Sequence, residues 1–371
     1  MNDATMFKLL AVLSAVIFFN FFIFWRGNID MSESRTTLEA EVFRLERRRD
    51  ELIRKNMDLE RQNHRMELKL EHVEIQVRDL AQARKDRKHL PTIFFITPTK
   101  FRPEQKADLT RLGQTLVHVP NLFWIIVEDA DEPSPLPRNL LKRLNFASSY
   151  YIAARTPEKM RMNASDPNWK LPRGVVQRNA ALQYLRLVLL NCVFRFLFCR
   201  TNHRGLNKKS VVYFGDDDNV YDWRLFDEMR KVDKIGVWPV GIVGGLVVET
   251  PIIARNGSVI GFNSNWKPER PFPLDMAAFA VNLSLVIQNP EAKFSYDVPR
   301  GYQESYFLTG LGLTRQDLEP KAEFCSKVYV WHTRTENSKL SRLDRRRIDE
   351  MALNDLEKDA VNEVDNEIID L

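Results

Sequence analysis

An uncharged apolar run near the N-terminus limits what this chain can fold into more than any other segment does. Residues 9–25 read LLAVLSAVIFFNFFIFW and carry no charge. This length is at the short end for a helix that spans a bilayer. A cleaved signal peptide is the alternative, but Phe24, Trp25 and Arg26 stand where small cleavage-site residues are expected. We therefore predict an uncleaved transmembrane anchor at 9–25, after a short cytosolic tail at 1–8.

Glycosylation tripeptides indicate which side of the membrane holds the rest of the chain. Asn-x-Ser sequences begin at Asn163, Asn256 and Asn282. Such tripeptides also arise by chance, and each can accept a glycan only in the secretory lumen. They favour a type II layout, in which the body of the protein is luminal.

The segment after the anchor has a heptad pattern. Residues 31–88 contain no Gly or Pro, and apolar residues recur every seven positions at Leu38, Leu45, Leu52, Leu59, Met66, Val73 and Leu80. Asn56 and Asn63 then occupy a positions, a pattern typical of parallel two-stranded coiled coils. We predict a coiled-coil stem at 26–90 and a homodimer. A single solvated charged helix is the alternative.

From Pro91 onward the pattern predicts an α/β domain at 91–340. Apolar, β-branched runs alternate with helical periodicity, which is typical of a largely parallel sheet with flanking helices. Functional side chains should then gather at the carboxyl ends of the strands. The predicted strands are 91–99, 122–127, 150–153, 211–214 and 236–240, and the predicted helices are 104–116 and 175–187. The polar, acidic tail at 341–371 is predicted to be mobile or loosely helical.

Charge and cysteine content exclude some classes of protein. The formal net charge of +5 is small for 371 residues, and basic side chains are interleaved with acidic ones, so nothing indicates nucleic-acid binding. Cys192, Cys199 and Cys325 are too few for a disulfide framework and lack zinc-site spacing.

Three consecutive acids follow the strand predicted at 211–214. Asp216, Asp217 and Asp218 repel one another, and carboxylate oxygens are ligands suited to Mg²⁺ or Mn²⁺. A divalent cation shared with a phosphorylated substrate would explain the cluster. An acidic surface turn is the alternative.

Other polar residues accompany these acids. Arg173 and Arg178 flank a predicted helix start, where phosphate binds well, although two surface arginines would look the same. Glu128-Asp129 closes another strand. Further candidates, in or near proline-rich or aromatic stretches, are Trp266, Arg270, Asp275, Glu304, His332 and Arg334.

Together these stretches resemble the β-1,3-glucuronosyltransferase family of the Golgi. The matching motifs run in order through residues 91–336 and include PTIFFITPT, WIIVEDAD, LPRGVVQRNAAL, VVYFGDDDN, NWKPERPFPLDMAAFAV, PRGYQES and VWHTRTE. The resemblance implies a GT-A-like nucleotide-diphosphosugar transferase fold, UDP-glucuronic acid as donor, Mn²⁺ as cofactor and an inverting displacement.

The resemblance also implies roles for individual residues. Glu304 would be the general base, and Asp218 would bind Mn²⁺. The donor contacts would be Pro98, Thr99, Lys100, Asp129, Arg173, Arg178, Asp216, Asp217, Asp218, His332, Thr333 and Arg334. The acceptor contacts would be Glu249, Trp266, Arg270 and Asp275.

Two stretches depart from the family pattern. Lys100 stands where the family usually has a Tyr that stacks on uracil, and residues 187–200 replace a short polar region. The expected activity is transfer of glucuronic acid to a galactose-galactose-xylose primer on proteoglycan core proteins, in the Golgi lumen. The alternatives are a lactosamine-directed glucuronosyltransferase and a non-catalytic carbohydrate-binding scaffold.

Replacing both Asn56 and Asn63 with Val is expected to stabilise the stem and to loosen its preference for two strands. A buried Asn pair lowers stability but specifies the dimer. Sedimentation of the stem peptide measures the oligomer. A wild-type peptide that stays monomeric at high micromolar concentration would contradict the coiled coil.

Overall fold

The structure is a computed structural model that describes residues 3–87, 90–162, 166, 171–195 and 209–362. The chain divides into two compact units, Met1–Ala83 and Arg84–Leu371. The sequon at Asn163 and the cysteine Cys199 lie outside the described residues, as does the side chain of Cys192.

The first unit is helical throughout its described part. Helix α1 (Asp3–Arg87) continues without a break through the predicted anchor and most of the predicted stem. Within it, Met6–Gly27 has a mean hydropathy of 2.3 and is long and apolar enough to cross a membrane, a test that a signal sequence also passes. Leu38 and Leu45 are exposed on the single helix. The helical structure of the anchor and the stem thus agrees with the prediction from sequence. The pairing of two stems stays a prediction.

After α1, the described residues of the second unit contain nine α-helices. They are α2 (Gln105–Leu116), α3 (Pro135–Arg143), α4 (Val175–Arg195), α5 (Trp223–Met229), α6 (Leu283–Gln288), α7 (Gln303–Gly310), α8 (Ala322–Cys325), α9 (Arg342–Asp349) and α10 (Asp355–Val361). Its strands are β1 (Ile93–Thr99), β2 (Leu122–Glu128), β3 (Ser149–Ala153), β4 (Val211–Phe214), β5 (Val220–Tyr221), β6 (Ile235–Val237), β7 (Val240–Val243), β8 (Leu246–Ile253), β9 (Val259–Asn263), β10 (Phe279–Asn282), β11 (Leu318–Pro320) and β12 (Val330–Trp331).

Seven of these strands form the main sheet, in the order β11-β6-β10-β4-β1-β2-β3. Strands β1, β2, β3 and β4 are mutually parallel. Strand β10 runs antiparallel to both of its neighbours, β4 and β6. The prediction of a mixed, largely parallel sheet with flanking helices is therefore confirmed. A smaller sheet has the order β5-β12-β7-β8-β9.

The strand predicted at 236–240 is wrong as a single element. Strand β6 ends at Val237 in the main sheet, and β7 begins at Val240 in the smaller one. Pro239 has no N–H to donate to a ladder, and the Trp238 indole turns inward to donate to the Ala277 carbonyl at 2.7 Å. The chain therefore changes sheets at these two residues.

An aromatic cluster fills the core beneath the end of β4. The Phe95 ring lies 5.3 Å from Tyr213, 5.4 Å from Tyr221 and 6.1 Å from Phe226, measured between ring centroids. Offset and edge-on aromatic pairs of this kind stabilise cores beyond simple burial. Because Gly215 packs directly on Phe95, the cluster also supports the turn that carries the three acids.

The C-terminal segment is helical and attached to the domain. Its helices are α9 and α10, and Lys106 Nζ on α2 lies 2.9 Å from Asp359 Oδ1 on α10. The tail prediction was right about helical content, but the described part of the tail is tied to α2. Helix α4 also extends to Arg195, beyond the predicted end at residue 187.

One predicted glycosylation site is wrong. Asn282 is only 4% exposed, and its side chain caps α6 by accepting from the Ser284 amide at 2.8 Å. A glycan has no room on a buried N-cap in the folded domain. Asn256 is exposed on a turn and stays a candidate.

Replacing Gly215 with Ala is expected to destabilise the second unit by about 1–3 kcal/mol, because overpacking forces neighbours to move. An added Cβ would lie 2.1 Å from Phe95 Cζ. Chemical denaturation of the full chain measures the effect. The matched control is Gly261→Ala, whose Cβ would make an ordinary 3.6 Å contact with Ile252. Equal stability of the two variants would contradict the packing argument.

Candidate active site

The three acids after β4 have different surroundings. Asp216 pairs with Arg178, whose Nη2 donates to Asp216 Oδ1 at 2.7 Å. Arg178 is 7% exposed, and its Nη1 also donates to the Arg173 carbonyl at 2.8 Å. Gly174, at φ +71, leaves room for this guanidinium, because a Cβ there would lie 2.5 Å from Nη1. Arg178, at the start of α4, therefore places a buried guanidinium beside Asp216.

Asp217 is buried and held by two neighbours. The Thr99 hydroxyl donates to Asp217 Oδ2 at 2.6 Å, and Arg102 Nη1 donates to the same oxygen at 2.9 Å. Arg102 Nη2 lies 2.9 Å from the other oxygen. Burial raises the pKa of the Asp217 carboxyl, and Arg102 and Thr99 oppose that rise. Because both of its carboxylate oxygens are bound by Thr99 and Arg102, Asp217 holds these two residues in place.

Asp218 is the acid left without a paired cation. Within the described part of the chain, no Lys, Arg or His nitrogen lies within 4.0 Å of its carboxylate, and its one hydrogen bond comes from the Thr335 amide at 3.4 Å. Burial raises the pKa of Asp218, and repulsion from Asp216 and Asp217 raises it further. A bound divalent cation would relieve this repulsion, so the residue fits a metal ligand.

The rest of the site fits a metal that is bound mainly by its substrate. Among the described residues, no three His, Cys, Asp or Glu side chains converge as a metal cage. Magnesium-like ions commonly take one or two protein carboxylates and complete their shell with water and substrate phosphates. Asp218 alone could meet that requirement.

A partly buried ion pair links two residues that the sequence assigned to different substrates. His332 Nδ1 lies 3.2 Å from Asp275 Oδ2, and Asp275 Oδ1 accepts from the Ala277 amide at 3.0 Å. The interaction with the Asp275 carboxylate raises the pKa of His332 to about 9. Burial opposes ionisation of Asp275, but His332 outweighs it and lowers the Asp275 pKa. The imidazole is therefore held as a cation at neutral pH.

Glu304 lies in the first turn of α7, and the pKa of its carboxyl group is raised. Its side chain is largely buried, and burial raises its pKa to about 7. Asp275 adds to the rise, while Arg270, whose Nη1 lies 3.7 Å from Glu304 Oε2, opposes it. A carboxyl that titrates near neutral pH is well matched to proton transfer.

Of the predicted acceptor residues, Glu249 lies in β8, while Trp266 and Arg270 lie in the segment after β9. Glu249 is buried and accepts from the Ser264 hydroxyl at 3.0 Å, and burial raises its pKa. Trp266 is 39% exposed, with the Arg300 guanidinium 4.5 Å from its ring centroid. Arg270 is 4% exposed and donates to the Gly301 carbonyl at 2.6 Å, so it supports the loop from inside.

The remaining predicted donor residues lie along the strand ends. Thr99 ends β1, with Pro98 before it, and Lys100 is exposed just beyond. Asp129 follows β2 and accepts from the Thr156 amide at 2.7 Å and its hydroxyl at 2.9 Å.

Two further donor candidates follow β12, and one lies before α4. Arg334 is exposed, and the Thr333 hydroxyl donates to the Asp218 carbonyl. Arg173 is exposed too. The structure thus brings predicted residues that follow β4 and β12 into one electrostatic neighbourhood with residues of α4 and α7. Asp216 helps to raise the pKa of His332, while Arg178 opposes the raised pKa of Glu304.

Sequence reasoning missed the residues that support the acids from α2 and its preceding loop. Arg102 bridges Asp217 and Asp108, and Arg111 donates to the Asp218 carbonyl at 3.0 Å. The sequence did contain a signal, because Asp108 lies on an amphipathic helix with Arg102 before it and Arg111 after it. The same pattern is typical of a helix face that is exposed to solvent.

Comparison with known proteins identifies the family of the chain. Residues 112–336 match the profile of glycosyltransferase family 43. The chain is 51% identical over 335 residues, 90% of each chain, to the galactosylgalactosylxylosylprotein 3-beta-glucuronosyltransferase sqv-8 of Caenorhabditis elegans.

Two other relatives match over about two thirds of the chain. The galactosylgalactosylxylosylprotein 3-beta-glucuronosyltransferase I of Drosophila melanogaster is 50% identical over 256 residues, 68% of this chain and 78% of the relative. The galactosylgalactosylxylosylprotein 3-beta-glucuronosyltransferase 1 of Homo sapiens is 47% identical over 252 residues, 67% of this chain and 70% of the relative. These matches confirm the resemblance drawn from the motifs, and the chain belongs to glycosyltransferase family 43.

Proposed function

We propose that the chain transfers glucuronic acid from UDP-glucuronic acid to the terminal galactose of a galactose-galactose-xylose primer on a core protein. The linkage formed is β-1,3, and the reaction is a single inverting displacement. The relatives are named as 3-beta-glucuronosyltransferases of galactosylgalactosylxylosylprotein, and this supports the acceptor.

One observation carries this proposal: a carboxyl with a pKa of about 7 shares a site with a paired imidazolium and a buried guanidinium. An inverting transfer needs a base for the acceptor hydroxyl on one face of the sugar and charge stabilisation for the diphosphate on the other. Glu304 suits the first task, and Arg178 with His332 suits the second.

The proton moves from the galactose hydroxyl to a Glu304 carboxylate oxygen as the new glycosidic bond forms. The bond between the anomeric carbon and the diphosphate oxygen breaks, and UDP leaves with that electron pair. Arg270, 3.7 Å from Glu304, helps keep the base ionised before the transfer. His332 is held in position and in charge by Asp275.

Manganese is the cofactor that we propose, held by Asp218. When bound there, the cation would neutralise charge on the diphosphate. The raised pKa of Asp218, caused by burial and by the two neighbouring carboxylates, supports this assignment.

The exposed Trp266 supports a sugar acceptor, because an indole face suits the apolar side of a galactose ring. A lactosamine-type acceptor would use the same face and is the alternative within the family. For location, we propose the Golgi membrane with a luminal second unit, on the basis of the apolar helix Met6–Gly27 and the Golgi family resemblance.

The full chain in detergent, with manganese and UDP-glucuronic acid, is expected to glucuronidate a galactose-galactose-xylose-serine acceptor. Mass spectrometry of the acceptor, together with UDP release, measures the transfer. Transfer to a lactosamine acceptor alone would refute the proposed substrate. Acceptor binding without UDP release would favour the scaffold alternative.

Replacing Glu304 with Gln in that assay is expected to lower kcat by about 10²–10⁴-fold, because an amide cannot accept the acceptor proton. UDP binding should be unchanged. Asp218→Ala is the contrasting variant, which should lose manganese-dependent UDP binding. Near wild-type turnover in Glu304→Gln would rule out the base.

The pH dependence of kcat/KM should be bell-shaped. Glu304 accepts a proton only as the carboxylate, so activity rises with pH through its pKa of about 7. His332 stabilises the diphosphate only as the imidazolium, so activity falls as pH rises through its pKa of about 9. His332→Gln should remove the alkaline limb and leave the acid limb. A rate that falls from acid to neutral pH would contradict both assignments.

A further inference from the structure

A fourth acid, Asp108 on α2, lies behind the triple-acid segment. Its carboxylate is 3% exposed and receives three hydrogen bonds. Arg102 Nη2 donates to Oδ2 at 2.6 Å, while the Thr335 hydroxyl at 2.6 Å and Arg111 Nη2 at 3.2 Å donate to Oδ1. The donors come from the loop after β1, from α2 itself and from the segment after β12.

Each of these donors also contacts the triple-acid segment. Arg102 binds Asp217 through two nitrogens. Arg111 Nη2 donates to the Asp218 carbonyl at 3.0 Å, and the Thr335 amide points to Asp218 Oδ2 at 3.4 Å. Three separate bridges therefore connect Asp108 to the two acids.

The same contacts fix the segment that follows His332. Thr335 is held by Asp108, and the next contact along the chain is the Ser338 amide with Glu104 at the start of α2. Charge-assisted hydrogen bonds to a buried carboxylate are strong and directional. A side chain with three such bonds holds its partners in one arrangement.

We propose that Asp108 is a positioning residue that holds the Asp218 carboxylate and the segment after His332 in register for binding the metal and the diphosphate. This rests on the proposed function for its metal and donor. Without the Asp108 charge, Arg102 and Arg111 lose their shared acceptor, and Thr335 is released from α2.

The test is Asp108→Asn in the full chain, which keeps the shape of the side chain and removes its charge. The manganese concentration for half-maximal UDP binding, measured by titration calorimetry, is expected to rise about 10- to 100-fold, as for other groups that orient a metal ligand. The acceptor KM should stay within about twofold, because Asp108 accepts from Arg102, Arg111 and Thr335, none of which is a predicted acceptor residue. Thr335→Val should shift the manganese requirement in the same direction by less.

A matched control separates this role from loss of a helical ion pair. Asp227 also pairs with an Arg three residues on, Arg230, at 3.5 Å. Asp227→Asn should leave the manganese requirement unchanged. Hydrogen exchange of the metal-free chain should show faster exchange at residues 333–338 in Asp108→Asn only.

Three results would overturn the role of Asp108. The first is a manganese requirement within about twofold of wild type, and the second is unchanged exchange at residues 333–338. An Asp108→Asn chain that raises the acceptor KM as much as the manganese requirement would indicate general damage and would also overturn it. If both expected effects appear while the wild-type chain transfers no glucuronic acid, the proposed function fails and the positioning role stands.

Discussion

The site depends on how three adjacent carboxylates at the end of β4 are kept close together. Asp216 is compensated by Arg178 and Asp217 by Arg102, while Asp218 lacks a paired cation among the described residues. Removing one partner from a buried pair is costly, so these pairings tie α4 and the loop after β1 to one turn. The uncompensated charge of Asp218 therefore marks the position where a bound cation would be most stabilising.

The sheet explains why distant segments meet at this turn. Strands β1, β2 and β4 are parallel, so their carboxyl ends share one edge, where Thr99, Asp129 and Asp216 lie. Strand β10 runs the opposite way, and its beginning therefore lies at the same edge. This reversal brings Asp275, just before β10, to the residues that follow β4 and β12.

One carboxylate then adjusts two groups with opposite tasks. Asp275 raises the pKa of His332 and also contributes to the raised pKa of Glu304. For the imidazole the effect preserves a charge, and for the glutamate it makes a base that titrates near neutrality. Arg270 limits the second effect by lying near Glu304. The pKa values of His332 and Glu304 therefore depend on the charges of Asp275 and Arg270 as well as on their own residue types.

Local patterns in the sequence were enough for much of the fold and for the residue types of the site. Apolar runs located β1 to β4. The apolar run and the heptads marked an anchor and a stem, which the structure joins in the single helix α1. The acids and arginines marked residues that the structure brings together. Sequence patterns did not indicate that Pro239 moves the chain between sheets or that Asn282 is a buried cap.

Tertiary structure alone decided which cation meets which acid. Arg102 and Asp217 are 115 positions apart, and Arg178 and Asp216 are 38 apart. Such pairings depend on burial and on strand order, which no local window of sequence contains.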